Sequence, residues 1–267
     1  MLKQKPSAAD FLRAKTAGRK LSMVTCYDHA FARLLARSAV DAILVGDSAG
    51  MVMHGHPSTL SVTVDLVRLH TEAVVRGAGG KFIVADMPFL SYRRGCGPAL
   101  DAAFSLMSVG AGALKLEGVR GHEDAIARLI ESGIPVMGHL GMQPQSVNAY
   151  GGFRVQGQSD AAAQQILRDA KTLEDLGAFS VVLECIPSSI AAEITQASSI
   201  PTIGIGAGPH CDGQVLVLHD LLGMNPDFHP RFVRPFLDGA QQILGAISAF
   251  DSEVKAGTFP AAKESYE

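Results

Sequence analysis

Short apolar runs, each closed by glycine, proline or a polar residue, recur along the chain with helical periodicity between most of them. They are Leu21–Thr25, Ala42–Val45, Lys81–Asp86, Ala113–Glu117, Ile134–His139, Phe179–Glu184, Ile200–Ile205 and Gln214–Leu218. Apolar residues follow one another in most of these runs instead of alternating, as expected of parallel strands covered on both faces. The intervening stretches carry helix signals. Ser7 precedes a short helix around Ala9–Lys15, and Asp28 is placed to cap a helix with Phe31, Leu34, Leu35 and Ser38 on its apolar face. A helix after Thr63 puts Leu66, Val67, His70, Ala73 and Val74 on one side, with Gly77, Gly79 and Gly80 closing it. Others are predicted from Pro98 to about Gly110, from Glu123 to Ser132, from Ser159 with Ile166, Ala170, Leu173 and Leu176 inward, from Pro187 to Ala197, and from Pro235 to Phe250.

Eight such strands in 267 residues predict a (β/α)8 TIM barrel, one domain over 1–267 with a short polar N-terminal segment and a polar C-terminal tail. An open doubly wound sheet fits less well, because no GxGxxG follows the first strand. Two connections read as long loops: the stretch from Asp47 to Thr63, and 140–158, whose Gly, Gln, Asn and Pro suggest a lid or binding loop.

Composition narrows the partners. Hydrophobic residues make up 47% of the chain and charged ones 18%, enough for a core and against disorder. A net charge of −3 makes no electrostatic case for nucleic acid or an anionic membrane, and no apolar run is long enough to span a bilayer. The four cysteines, Cys26, Cys96, Cys185 and Cys211, have no CxxC or zinc-ligand spacing, so reduced thiols in a cytoplasmic protein are expected.

The chemistry collects where the strands end. Asp47, Asp86, Glu117, His139 and Glu184 close successive runs, and in a barrel those ends share one rim. Asp47, Asp86 and Glu117 fall on neighbouring strands, with Glu184 nearer the opposite wall. Lys115 and Glu117, two apart, share one side of their strand. Each acid alone could simply cap the next helix, but several converging carboxylates must be protonated or bridged by a cation. An all-oxygen set suits Mg²⁺ better than zinc. Lys115 reads as an electrostatic clamp ahead of a Schiff-base nucleophile, and His139 as either a ligand, a donor behind the ligands or a core histidine. His54-Gly-His56 lies too far down its loop for a metal pair; Cys96 sits in a loop; Gly206-Ala-Gly208 fits a phosphate cradle or a tight turn.

Taken together, these residues resemble the ketopantoate hydroxymethyltransferase family. The resemblance rests on Val45-Gly-Asp-Ser48 with Gly50-Met51, Ala85-Asp-Met-Pro-Phe89, Lys115-Leu-Glu-Gly118, Gly138-His-Leu-Gly141, Pro144-Gln-Ser146, Val155-Gln-Gly157, Leu183-Glu-Cys185 and Gly204-Ile-Gly-Ala-Gly208, in order between about Thr25 and His219. It implies a barrel of the phosphoenolpyruvate/pyruvate-binding type, usually a homo-oligomer and often a decamer. It implies Mg²⁺-dependent transfer of a hydroxymethyl group from 5,10-methylenetetrahydrofolate to 3-methyl-2-oxobutanoate, giving 2-dehydropantoate. Carried over by position, Asp47, Asp86 and Glu117 would form the metal site, Asp47, Ser48, Asp86 and Lys115 the oxoacid site, and Glu184 the proton acceptor. Cys26, His54 and the Arg93–Gly97 stretch depart from the family's usual pattern. A lyase or phosphomutase of the isocitrate lyase and phosphoenolpyruvate mutase type would share oxoacid chemistry, but no Lys-Lys-Cys-Gly-His-like run is present.

Overall fold

The computed structural model describes residues 6–227 and 230–266, which form two compact units, one ending at Val217 and the other beginning at Leu218. In the first unit α1 (Ala8–Thr16) leads into β1 (Leu21–Thr25), α2 (His29–Ala36) and β2 (Ala42–Val45). The short α3 (Ala49–Val52) and the long α4 (Val64–Gly77) precede β3 (Phe82–Asp86), α5 (Cys96–Met107), β4 (Ala113–Glu117) and α6 (Glu123–Glu131). Then come β5 (Val136–Gly141), α7 (Val147–Tyr150), α8 (Asp160–Asp175), β6 (Ser180–Glu184), α9 (Ser188–Ala197), β7 (Thr202–Ile205) and β8 (Gly213–Leu216). Every neighbouring pair is parallel, and β8 pairs back onto β1, so the eight strands close in sequence order. The fold is the (β/α)8 barrel that the apolar runs predict.

Closure explains the unbroken apolar strands. Every residue of β2, β3, β4, β5 and β7 is buried, because each strand faces the barrel interior on one side and helices on the other. Phe11 of α1 meets Phe82 at 5.6 Å and Phe179 at 5.4 Å, edge to face, where β3 and β6 begin. The opposite, C-terminal rim is left to the loops. Polar caps start several of the helices: Asp28 Oδ1 accepts the Phe31 N–H at 2.9 Å, and Thr63 and Ser159 hydroxyls do the same for α4 and α8.

Some boundaries differ from the expected ones. β5 runs from Val136 to Gly141 instead of Ile134–His139, because Pro135 offers no N–H and the ladder continues past His139 against β6. α5 begins at Cys96, ahead of Pro98. The Asp47–Thr63 connection holds α3 and a 3₁₀ turn, and the 140–158 segment holds a 3₁₀ turn and α7. In α2 the buried residues are Ala32 and Leu35, while Leu34 is exposed. The helix turns Ala32 inward because α4 passes so close that a Cβ on Gly77 would sit 2.8 Å from the Ala32 methyl. β7 and β8 are joined by a turn in which Gly206 and Gly208 both have positive φ, at 65° and 81°.

The second unit contains α10 (Leu218–Leu221) and α11 (Gly239–Ala256); the latter starts and ends later than the predicted Pro235–Phe250. Only Gly239 of α11 is buried, and Ile243, Leu244, Ile247, Phe250 and Val254 are exposed. No helix among the described residues is long and apolar enough to cross a membrane.

Gly141 ends β5 at φ 92°, and a Cβ there would run into the Glu184 carbonyl oxygen. Gly141→Ala is therefore expected to destabilise the protein by about 2–3 kcal/mol through backbone strain. A thermal melt should move down by at least ~4 °C; an unchanged midpoint would mean that this junction relaxes without cost.

Candidate active site

Register brings the acids together. Asp86 on β3 pairs with Lys115 on β4, and Glu117 on β4 pairs with His139 on β5, so each couple stands side by side across roughly 5 Å of sheet. Asp47 lies just past β2, and its N–H donates to Asp86 Oδ2 at 3.0 Å. Lys115 Nζ reaches Asp86 Oδ1 at 2.8 Å. His139 Nδ1 lies 3.5 Å from Glu117 Oε1, and its Nε2 lies 3.1 Å from Glu184 Oε2 on β6. Glu184, on β6 and so across the barrel from β2 as expected, is linked to Glu117 through His139. Asp47, Asp86, Lys115, Glu117 and His139 are all buried, whereas the Glu184 side chain keeps 18% of its surface exposed.

The cluster is electrostatically unbalanced. Four carboxylates (Asp47, Asp86, Glu117, Glu184) share the space with two basic side chains, Lys115 and His139. Burial, reinforced by the charges of Asp86 and Glu117, pushes the Asp47 carboxyl well above the usual carboxylate range. Burial opposes the Lys115 charge, but Asp86, Glu117 and Asp47 outweigh it and hold the ammonium more firmly than in water. That favours the clamp over a neutral nucleophilic amine. His139 is also drawn down by burial and by Lys115, yet its contacts with Glu117 and Glu184 win and raise it to about 9. Its Nδ1 faces both Glu117 Oε1, at 3.5 Å, and the Lys115 ammonium, at 3.3 Å.

Two oxygens in this buried cluster, Asp86 Oδ1 and Glu117 Oε1, have no aligned hydrogen-bond donor, even though cations stand near both. Buried acceptors in a surplus of negative charge are the environment that a hard cation relieves. Among the described residues no three His, Cys, Asp or Glu side chains form a ready-made metal cage. An ion held here would therefore draw part of its coordination from water or a bound oxoacid. Mg²⁺ is commonly held in that way, by one or two carboxylates plus substrate oxygens.

Ser48 follows Asp47 at the start of α3, and its Oγ is 2.9 Å from the Tyr27 hydroxyl. Three further residues of the site carried no sequence signal for a role. Gln145 sits in the connection after β5, and its Nε2 donates to Asp47 Oδ2 at 2.8 Å. The Tyr92 hydroxyl lies 2.9 Å from the Glu117 carbonyl and 3.1 Å from Gln145 Oε1, and its one hydrogen can serve either acceptor. Arg93, in the atypical stretch after β3, donates to the same Glu117 carbonyl at 2.7 Å. In the sequence Pro144-Gln-Ser146 stood out as a motif without an assigned task, and Arg93–Gly97 as a stretch unlike the family's usual pattern.

The remaining candidates fall elsewhere. His54 pairs with His70 at 2.9 Å, and His70 Nδ1 meets the Tyr27 carbonyl at 2.6 Å, a tie between loop and helix and not a metal pair. Cys96 is half-buried at the start of α5, and all four cysteines are free thiols.

With Asp47's carboxyl raised in the fold, metal-free protein loses stability as pH rises from the ordinary carboxylate value towards the raised one. Asp47→Asn, which removes that buried charge while keeping an acceptor for Gln145, should raise the melting temperature in chelator at pH 8. The gain should shrink at pH 5. A variant less stable than the parent at pH 8 would contradict this electrostatic picture.

A sequence model of the ketopantoate hydroxymethyltransferase family matches residues 5–262. A 3-methyl-2-oxobutanoate hydroxymethyltransferase of Bdellovibrio bacteriovorus is 55% identical over 257 residues, covering 96% of this chain and 98% of the relative. Enzymes of the same name are 49% identical in Francisella tularensis subsp. tularensis, covering 98% of both chains, and 52% identical in Coxiella burnetii, covering 94% of this chain and 95% of the relative. Among solved structures, a phosphoenolpyruvate phosphomutase of Streptomyces platensis subsp. rosaceus superposes with a TM-score of 0.64 at 14% identity, over 98% of this chain and 92% of that one. A 2,3-dimethylmalate lyase of the PEP mutase/isocitrate lyase superfamily gives 0.62 at 15%, over 99% and 90%. At those identities the structures establish shared architecture alone. The family match and the near full-length relatives go further: this chain belongs to the ketopantoate hydroxymethyltransferase family and is a transferase.

Proposed function

We propose that this enzyme transfers a hydroxymethyl group from 5,10-methylenetetrahydrofolate to 3-methyl-2-oxobutanoate, giving 2-dehydropantoate for pantothenate and coenzyme A biosynthesis, with Mg²⁺ as its metal. The observation that carries the reading is the buried surplus of carboxylates around one charged lysine. Asp47 and Asp86 would hold the ion, with Glu117 completing the site behind them. Bound there, Mg²⁺ would act as a Lewis acid on the 2-oxoacid and stabilise enolate charge.

The protein's own groups account for the rest. Lys115, kept charged by its neighbours, offsets the substrate's negative charge. Ser48, steadied by Tyr27, offers a hydroxyl and an N–H to the substrate carboxylate. Glu184, the more open of the acids, with His139 Nε2 3.1 Å from its carboxylate, takes the proton from C3 of the oxoacid. That carbon then bonds to the methylene carbon of the folate; the C–N bonds to the folate break, water supplies the hydroxyl oxygen, and tetrahydrofolate leaves. The connection between β5 and α8 provides a wall for the folate side. Assembly with further copies of the same chain belongs to the proposal, and the exposed apolar face of α11 is a surface that such assembly would cover.

The test is isotopic. In D₂O with Mg²⁺ and no folate, the protein should exchange the C3 hydrogen of 3-methyl-2-oxobutanoate. Exchange that never occurs, or that a chelator leaves untouched, would sink the metal-enolate route. Glu184→Gln should slow exchange by about 100-fold or more while Mg²⁺ still binds. Asp86→Asn should weaken Mg²⁺ itself, and unaltered affinity would remove Asp86 from the ligand set.

A further inference from the structure

Gln145 is the polar side chain at the barrel mouth most fully tied to the carboxylates, and none of the roles above uses it. It is 5% exposed, so its amide has to be satisfied from within the protein. Nε2 donates to Asp47 Oδ2 at 2.8 Å and to the Met87 carbonyl at 3.0 Å, which uses both of its N–H groups. Oε1 lies 3.1 Å from the Tyr92 hydroxyl, whose one hydrogen it can take because Arg93 also donates to the Glu117 carbonyl. The orientation is therefore determined: a flipped amide would set its one oxygen against both the Asp47 carboxyl and the Met87 carbonyl. The main-chain N–H of Gln145 donates to Glu117 Oε2 at 3.0 Å. A single residue thus grips one oxygen of Asp47 and one of Glu117, and Glu117 is left with an Oε1 that faces His139 Nδ1 at 3.5 Å and has no aligned donor.

The chemistry of an amide matters in this place. A carboxylate turns about its last torsion with little intrinsic preference. Asp47, pressed by Asp86 and Glu117, would swing away from them unless held. A lysine or arginine could hold it, but would cancel the negative charge that draws a cation. A primary amide orients the carboxylate and leaves that charge intact. Gln145 also lies in the connection between β5 and α8, so the grip ties that connection to the carboxylates.

We propose that Gln145 is a positioning residue: it sets which oxygens of Asp47 and Glu117 face a divalent cation, and couples the β5–α8 connection to binding of that cation. The proposal rests on the reading of these carboxylates as a metal site. The probe is Mn²⁺ alone, titrated into the full-length protein and followed by electron paramagnetic resonance, with amide hydrogen exchange over residues 142–158 measured on the same samples. Gln145→Met keeps the length of the side chain and the main-chain N–H but removes the grip on Asp47. Its Mn²⁺ dissociation constant should rise about 10–100-fold, the usual effect of losing a partner that orients a metal ligand. Mn²⁺ should slow exchange across 142–158 in the parent protein and not in the variant. Tyr92→Phe keeps both donors of the amide but frees its Oε1 and also removes the hydroxyl's bonds to the Glu117 main chain; it should weaken Mn²⁺ several-fold, and it replaces Gln145→Met should that variant not fold. If the parent protein fails to bind Mn²⁺, the metal reading falls and this proposal falls with it. If the parent binds and the variants bind equally well, even with lower melting temperatures, Gln145 is only structural and the proposal alone is overturned.

Discussion

Like charges in a closed, dry space are the constraint on which this structure turns. The strand ends and the β2–α3 junction deliver Asp47, Asp86, Glu117 and Glu184 to one rim, three of them almost wholly removed from water. Their repulsion is only partly offset by Lys115 and His139, and the Asp47 carboxyl carries the remainder as a raised pKa. An unrelieved arrangement of this kind costs stability. A function that needs a cation or a charge-bearing substrate at that rim gives the cost a reason. The neutral donors around the cluster fit this account, since Gln145 and Tyr92 orient its acids without adding charge.

The rest of the first unit keeps those groups in place. Closure of the sheet fixes strand order, and with it the pairing of Asp86 with Lys115 and of Glu117 with His139. Gly141 allows β5 to end hard against the Glu184 main chain, close to the carboxylate assigned to proton abstraction. The connection after β5 then folds back over the acids through Gln145, while Arg93 and Tyr92 fasten the connection after β3 to the end of β4. Arg93, at the head of the Arg93–Gly97 stretch, thereby reaches the end of β4.

The eight apolar runs, their order and the acid that closes four of them or follows directly were legible because each is a local property of the chain. Buried parallel strands have no polar face to interrupt, and strand-end acids are conspicuous against that background. Boundaries were less legible. β5 begins later than its apolar run because Pro135 has no N–H, and it ends later because β6 offers partners as far as Glu184. The inward face of α2 depended on how closely Ala32 meets α4 at Gly77, a contact between segments far apart in sequence.

By itself, then, the sequence determined the barrel, the residues at its rim and the family to which the chain belongs, since periodicity, strand-end chemistry and ordered motifs are written along one dimension. The tertiary structure decided which of those residues touch. Glu184 lies across the barrel from β2, and the structure puts His139 between it and Glu117, 3.1 Å from the Glu184 carboxylate. Gln145 looked like one polar residue of a long loop, and its hold on Asp47 spans 98 positions of the chain. Hydrogen bonds and charge balance depend on distances of a few ångströms between side chains, and only the closing of the barrel sets those distances.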